Sequence, residues 1–167
     1  MKLFMFYIGG DAPGSNIELH DVRFVVAADV EACIPTLKQQ WWGIPSSLHL
    51  DSYLHLHHVD GWRIELSEQP SAQQEKLWFV NVGGYYKGRI AEYHDFTLVV
   101  ANSADDAKRI GLGQVLTDAL EQHKDDLHDV DNCLAVDLLG GWHVHLVRDG
   151  MQQPLEPDWA GYRPIGK

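Results

Sequence analysis

The sequence predicts an α+β protein built by tandem duplication of a β-β-α-β-β unit, with mainly antiparallel sheet and one helix per repeat. Its 167 residues suit one compact domain or two small units, and an apolar fraction of 45% can fill a core. A shift of 74 positions gives eleven identities between residues 2–27 and 76–101, which indicates a duplication. The apolar periodicities also change in the same order in both copies.

Four segments follow from this repeat. Residues 1–67 form repeat 1, residues 68–75 a polar connector, residues 76–149 repeat 2 and residues 150–167 a C-terminal tail. Toward the end of each copy the matching shift becomes 80, so the second copy has six additional residues. One unit alone would leave a large apolar face uncovered, so we expect the repeats to pack as one globular body.

Each copy begins with two predicted strands. The first, at residues 3–8 and 77–82, is apolar on both faces and is typical of a central strand. In the second, alternate residues such as Val22, Phe24 and Val26 are apolar, as in a half-buried strand.

A helix follows in each copy. Apolar residues at helical spacing predict the first, with Asp29 as its N-cap and Pro35 expected to kink it or delay its start by one turn. In the second copy, Ser103 with Asp106 resembles a capping box, and we expect a longer helix to about His123 that contains the additional residues.

A hairpin closes each copy, and we predict a three-residue loop at residues 59–61 with Gly61 in a left-handed bulge position. That register keeps all apolar side chains of the hairpin on one face. The predicted pairs are His58 with Trp62, Leu56 with Ile64, Leu54 with Leu66, and in repeat 2 Leu138 with Trp142, Val136 with Val144 and Leu134 with Leu146. The tail is predicted to be irregular and folded back through Trp159 and Tyr162.

Composition excludes several classes of protein. The chain carries 13 basic and 24 acidic residues, a net charge of −11, which argues against a protein that tracks nucleic-acid phosphates. The apolar run at the N-terminus ends at Gly9, too early for a membrane span. Cys33 and Cys133 are the two cysteines and lie far apart in the sequence, so we expect reduced thiols and a cytoplasmic location. We also expect no membrane association.

The sharpest candidates for chemistry are Glu18, His20 and Asp21, which recur as Glu92, His94 and Asp95. On a strand the first two point the same way, so an oxygen and an imidazole nitrogen can converge. Three interpretations stay open: a polar clasp that satisfies backbone groups of the Gly-Gly loop, a ligand contact, or a metal site.

A second pattern places His49, Asp51, His55 and His57 at alternate positions, so that they would lie on one side of an extended strand. This is the face opposite Leu54, where we expect solvated pairs of His55 with Glu65 and His57 with Arg63, and in repeat 2 of Asp137 with His143. The acidic run at residues 125–131 lacks the glycine and glutamate of a calcium loop and is predicted to be a solvated loop. No nucleotide-binding, serine-hydrolase or zinc-protease motif is present.

Several short motifs occur in a fixed order. They are Y-x-G-G at residues 7–10, E-x-H-D at 18–21 with F-V-V-A at 24–27, W-x-G ending at Gly43, H-x-D at 49–51 and V-D-G-W at 59–62. Together they resemble a small bacterial family of unknown function whose domain occurs in one or two copies. The resemblance implies a soluble two-copy member and no particular activity, cofactor or partner. Repeat 2 departs from the motifs, with Asp129 and Gly140 in place of His49 and Asp60.

Two function hypotheses follow. The leading one is a binding or regulatory module for a small ligand or a protein partner, with contacts from Gly9, Gly10, Glu18, His20, Asp21, Gly83, Gly84, Glu92, His94 and Asp95. The alternative is an enzyme that uses a divalent metal held by Glu18, His20, Asp21, His49 and Asp51. No cofactor is predicted under the leading hypothesis. A homo-oligomer formed by sheet extension is a third, weaker interpretation.

Overall fold

The computed structural model describes residues 1–119 and 128–166. Repeat 1 contains β1 (Lys2–Gly10), β2 (Leu19–Ala27), α1 (Val30–Gln40), a 3-10 turn (Pro45–Ser47), β3 (His49–Leu56), β4 (His58–Val59) and β5 (Trp62–Ser67). Repeat 2 contains β6 (Lys76–Gly84), β7 (Tyr93–Ala101), α2 (Ala104–Leu112), β8 (His128–Ala135), β9 (Leu138–Leu139) and β10 (Trp142–Arg148). The tail adds β11 (Trp159–Pro164).

The strands form three antiparallel sheets, in the orders β11-β3-β1-β2, β4-β5-β10-β9 and β7-β6-β8. As the apolar runs predict, β1 and β6 are central strands. The closing strands β5 and β10, however, do not join the sheet of their own repeat. They pair with each other, with Ile64 opposite Leu146 and Leu66 opposite Val144. The duplication and the mixed fold are therefore confirmed, but the predicted four-stranded sheet in each unit is wrong.

The predicted hairpin register is wrong. Val59 pairs with Trp62 and His58 with Arg63 across a two-residue turn of Asp60 and Gly61, both at positive φ, and repeat 2 pairs Leu139 with Trp142 and Leu138 with His143. Both central residues at positive φ match the right-handed twist of the flanking strands. The two-residue turn does not split the core, because β3 pairs with β1 instead of continuing the ladder with β5.

Both helices have the predicted N-caps. The Asp29 carboxylate accepts a hydrogen bond from the Ala32 N–H, and α1 begins at Val30 with Pro35 inside it, so the start is not delayed. The second helix is shorter than predicted and ends at Leu112. Gly111 and Gly113 disfavour its continuation, and a Cβ on Gly111 would lie 2.6 Å from Val80 Cγ1. His123 and residues 125–127 lie outside the described residues, whereas 128–131 belong to β8 rather than to a loop.

The sheet of each repeat packs on its own helix with one face and on the other repeat with its opposite face. One apolar cluster lies under α1 and includes Phe6 and Leu37, and another lies under α2. The largest cluster joins the repeats and contains Leu3, Phe24, Leu54, Leu56, Leu77, Leu98, Val136 and Leu146, each at most 6% exposed. Burial of such side chains contributes roughly 1.5–3 kcal/mol apiece, which holds the repeats together.

The tail is not irregular throughout, since β11 adds an edge strand to β3. Trp159 stacks on Tyr53 with 6.0 Å between ring centroids. Both cysteines are free, and burial raises the pKa of the Cys33 thiol to about 12. Within the described residues, no helix has the length and apolar character needed to span a membrane.

Candidate functional site

A row of three residues crosses the first sheet near its end. Gly9 in β1 pairs with His20 in β2 on one side and with His49 in β3 on the other. Both imidazoles lean over the glycine: a Cβ on Gly9 would lie 2.6 Å from His49 Nε2 and 2.9 Å from His20 Cδ2. Only glycine leaves room for this approach, so Gly9 belongs to a strand and to the floor of a histidine pair, not to a loop.

A β-bulge places Asp51 beside these histidines. Tyr7 pairs with Ser52 and Ile8 with Leu50, so Asp51 is the additional residue on β3. A bulge changes the face of the sheet on which the following side chains lie. His49 and His55 therefore lie on opposite faces. The expectation that His49, Asp51, His55 and His57 share one solvated face is wrong. His49 is 1% exposed, whereas the His55 ring lies against Phe4 on the α1 side of the sheet.

The carboxylates of Glu18 and Asp51 each lie between the two imidazoles, and we call these four residues the donor ring. His49 Nε2 lies 3.1 Å from Glu18 Oε1 and 3.3 Å from Asp51 Oδ1. His20 Nε2 lies 3.3 Å from Asp51 Oδ2 and 3.7 Å from Glu18 Oε2. The last distance is beyond hydrogen-bond range, so Glu18 does not clasp His20 in the way one of the sequence interpretations required.

The contacts of His49 orient its ring. Its Nδ1 lies 3.0 Å from the Ser47 carbonyl oxygen, and a carbonyl can only accept, so Nδ1–H is the donor. The other ring nitrogen, Nε2, faces the carboxylates of Glu18 and Asp51. His49 Nε2 and Asp51 Oδ2 are buried, and although polar atoms lie within 3.3 Å of each, none is aligned for a hydrogen bond. Tyr162 of β11 covers the His49 ring with 4.4 Å between centroids.

These atoms have the spacing of metal donors. One donor atom each from Glu18, His20 and His49 lie within 4.8 Å of one another. Donors about 2.1 Å from a zinc-sized ion are roughly 3.4 Å apart in a tetrahedral site and about 3.0 Å apart as neighbours in an octahedral one. The nitrogen–oxygen distances of 3.1 to 3.7 Å involve both oxygens of each carboxylate, so Glu18, His20 and His49 fit a divalent ion with one atom each, and Asp51 lies beside them.

Two further residues support this ring, and sequence reasoning missed their role. The Tyr7 ring stacks on His20 at 5.2 Å with an 8° angle between planes. Burial, then the charges of Asp51 and Asp21, raises the pKa of the Tyr7 phenol. Ser47 fixes the His49 tautomer through its carbonyl. Tyr7 is the first residue of the Y-x-G-G motif, a signal that was available, whereas a backbone carbonyl leaves none in the sequence.

Other candidate residues lie apart from the ring. The Asp21 carboxylate accepts a hydrogen bond from the Val22 N–H and forms an ion pair with Arg23 at 2.5 Å. A Cβ on Gly10 would meet Trp41 and Ser47, so this glycine serves packing. Asp21 and Gly10 are therefore not part of the donor ring.

The equivalent corner of repeat 2 is less complete. Glu92 Oε2 lies 3.9 Å from His94 Nε2, and both side chains are exposed. Gly83 pairs with His94 and with Asp129, and Gly84 pairs with Tyr93, so these glycines also lie in a strand. Asp129 stands where repeat 1 has His49, and the Asp95 carboxylate accepts from the Phe96 N–H. The histidine–glycine–histidine row exists only in repeat 1.

A cleft of about 410 Å³ separates the two corners. Repeat 1 contributes Tyr7, His20 and Asp21 to its wall, and repeat 2 contributes Asn81, His94 and Phe96. As the strand alternation predicts, His20 lies on the same face as Val22, which also lines the cleft. His20 is thus common to the donor ring and to the cleft between the repeats.

The remaining histidines of the hairpin have other partners. His55 does not face Glu65, which pairs with His145, and Arg63 pairs with His58 and Val147 instead of His57. In repeat 2, Leu138 rather than Asp137 is opposite His143. The pair of His55 with Glu65 is wrong because β3 and β5 belong to different sheets, and the other two are wrong because the two-residue turns shift the register by one residue.

Comparison with known proteins places this fold in a family. The family model "Domain of Unknown Function (DUF1543)" matches twice, at residues 15–66 and 89–139. A solved structure, described as the crystal structure of a protein Il1583 from Idiomarina loihiensis, is similar at 45% identity and a TM-score of 0.77, over 98% of this chain and 97% of that one. No curated protein matches. The chain belongs to the DUF1543 family and carries two copies of its domain.

Proposed function

We propose that this chain binds one divalent transition-metal ion at Glu18, His20, His49 and Asp51 of repeat 1. A single observation carries the proposal: His49 Nε2 is buried, lacks a hydrogen-bond partner and faces two carboxylate oxygens at 3.1 and 3.3 Å. A buried polar atom without a partner is costly, and because Nδ1–H donates to Ser47, Nε2 is the His49 atom that can coordinate a metal. A metal ion would satisfy it.

The donor set supports a particular class of ion. Two imidazoles with two carboxylates suit borderline ions such as Zn²⁺, Co²⁺, Mn²⁺ or Fe²⁺ better than Ca²⁺, which prefers oxygen donors alone. The carboxylates of Glu18 and Asp51 would balance the charge of a dication. The hydrogen bond from His49 Nδ1–H to the Ser47 carbonyl is the kind of supporting contact that fixes a metal-bound histidine.

Metal analysis of protein made without a histidine tag tests this. We expect one Zn²⁺ or Co²⁺ per chain after loading and desalting, by elemental analysis and calorimetry. The His49→Ala and His20→Ala variants should lose that ion. His94→Ala is the matched control and should keep it, because its corner lacks a second histidine. Less than stoichiometric metal in the wild type, or an equal loss in His94→Ala, would refute the proposal.

A metal-dependent enzyme is a second candidate, favoured by access to the ring. The Glu18 side chain is 43% exposed and that of His20 34%, so solvent reaches one side of the site. Three or four protein donors would leave at least one position for water or substrate on the ion, as catalytic metal sites require. A pH-dependent change in the visible spectrum of the Co²⁺ protein would show a titrating bound water. A spectrum constant from pH 6 to 9 would favour a purely structural ion.

The broader hypothesis of a binding module also finds support here, since the cleft joins the metal corner to the second repeat. A cytoplasmic location remains part of the proposal, and the two free thiols support a reducing compartment.

A further inference from the structure

The cleft between the repeats has a chemical character that goes beyond metal binding. We infer that it holds a small, ring-bearing molecule with a metal-binding oxygen group, and that repeat 2 has become the part that recognises the ring. This inference rests on the proposed metal site, because His20 is both a donor in the ring and part of the cleft wall.

Aromatic side chains line part of the cleft. Tyr7 stacks on Phe96 at 6.1 Å, and Phe96 contacts Phe79 at 5.6 Å. Because Tyr7 also stacks on His20, a continuous series of rings leads from the metal corner of repeat 1 to the second repeat. Tyr7 and Phe96 are only half-buried and line the cleft, so the parts of these rings that other rings do not cover can contact an aromatic ligand.

Charge and size narrow the ligand class. Among the described residues that line the cleft there is no lysine or arginine, and the acid Asp21 is already paired with Arg23. Phosphate esters and other multiply charged anions would find no cation there apart from the metal. A volume of about 410 Å³ is near the lower end for ligand sites and suits a single-ring molecule. The ligand is therefore neutral or singly charged.

The second repeat supplies the far end of the cleft. His94 and Asn81 line it and bring imidazole and amide groups that can hydrogen-bond a polar substituent. Repeat 2 carries Asp129 in place of His49, so it does not duplicate the histidine pair, and its role at the cleft differs from that of repeat 1. Two copies of one domain thus take different roles on opposite sides of one cleft.

Two hydroxamates test this in the Co²⁺-loaded full-length protein. Benzohydroxamic and acetohydroxamic acid carry the same metal-binding group, and only the first has a ring. We expect benzohydroxamate to bind about tenfold more tightly by titration of the visible spectrum. Phe96→Ala should remove this preference while leaving Co²⁺ stoichiometry and acetohydroxamate affinity unchanged.

His94→Ala is a second variant at a half-exposed position, in case Phe96→Ala does not fold, and should weaken benzohydroxamate at least threefold. His143→Ala on β10, outside the cleft, is the matched control and should bind both probes like the wild type. Equal affinity for the two probes in the wild type, or a ring preference that survives both cleft variants, would overturn the inference while leaving the metal site intact. Failure to bind Co²⁺ would instead remove the proposed function and this inference together.

Discussion

Gly9 and His49 are neighbours on adjacent strands, and the glycine has no room for a side chain because His49 Nε2 would lie 2.6 Å from its Cβ. The same missing Cβ admits His20 from the other side. One glycine therefore permits both imidazoles to converge, although it offers no side-chain donor itself.

The Gly9→Ala substitution should displace both imidazoles and lower metal affinity at least tenfold. Overpacking of this kind also costs about 1–3 kcal/mol of folding stability, so the loss of binding should be measured at a temperature where the variant is folded. Calorimetry with Zn²⁺ checks the prediction. Gly83→Ala, at the equivalent place in repeat 2, should leave the affinity unchanged; wild-type affinity in Gly9→Ala would contradict the geometry.

A second metal site should be creatable in repeat 2. Asp129 pairs with Gly83 as His49 pairs with Gly9, so Asp129→His would complete a histidine–glycine–histidine row with His94 and Glu92 nearby. We expect metal stoichiometry to rise from one to two ions per chain. The second ion should bind more weakly because the side chains of Glu92 and His94 are exposed. Asn132→His, outside the row, is the control. A stoichiometry that stays at one would show that the row alone is insufficient.

The turn of the first hairpin contributes one hydrogen bond between the repeats. The Asp60 carboxylate accepts from the Val100 N–H at 2.9 Å, and Asp60 has a φ of 53°. Asp60→Gly keeps the turn conformation, as Gly140 does in repeat 2, but removes the acceptor and should cost about 1 kcal/mol in urea unfolding. Asp60→Asn retains an acceptor and tolerates positive φ, so it should stay within about 0.5 kcal/mol of the wild type. Equal losses in both would mean that the charge matters more than the bond.

The loss of folding stability at low pH should depend on Asp149. The Met151 N–H, and then the side chain of His58, lower the pKa of the Asp149 carboxyl. Because the folded pKa is depressed, the stabilisation is present above the ordinary pKa of an aspartate and is lost as the pH falls through the folded value. Asp149→Asn should therefore flatten the pH dependence of unfolding below about pH 4. In His58→Phe the carboxyl pKa, measured by NMR, should rise only part of the way, because the Met151 contact remains; a full return to the ordinary value would contradict this ranking.

The repeat, the strand and helix types, the helix N-caps and the proximity of Glu18 to His20 could all be predicted from the sequence. These depend on local periodicity and on residues a few positions apart, which a linear pattern records directly. Two copies of one domain also follow from identities alone, before any coordinate is known.

Only the tertiary structure decided the rest. The pairing of β5 with β10 depends on contacts about 80 residues apart, and nothing in the local pattern distinguishes it from pairing within one repeat. The bulge at Asp51 reverses the alternation of β3 and brings His49 to His20. Uninterrupted alternation predicted a solvated face shared with His55, and only the alternative metal hypothesis grouped His49 with His20. The donor ring exists because three strands place it there, whereas its residue types were visible from the start.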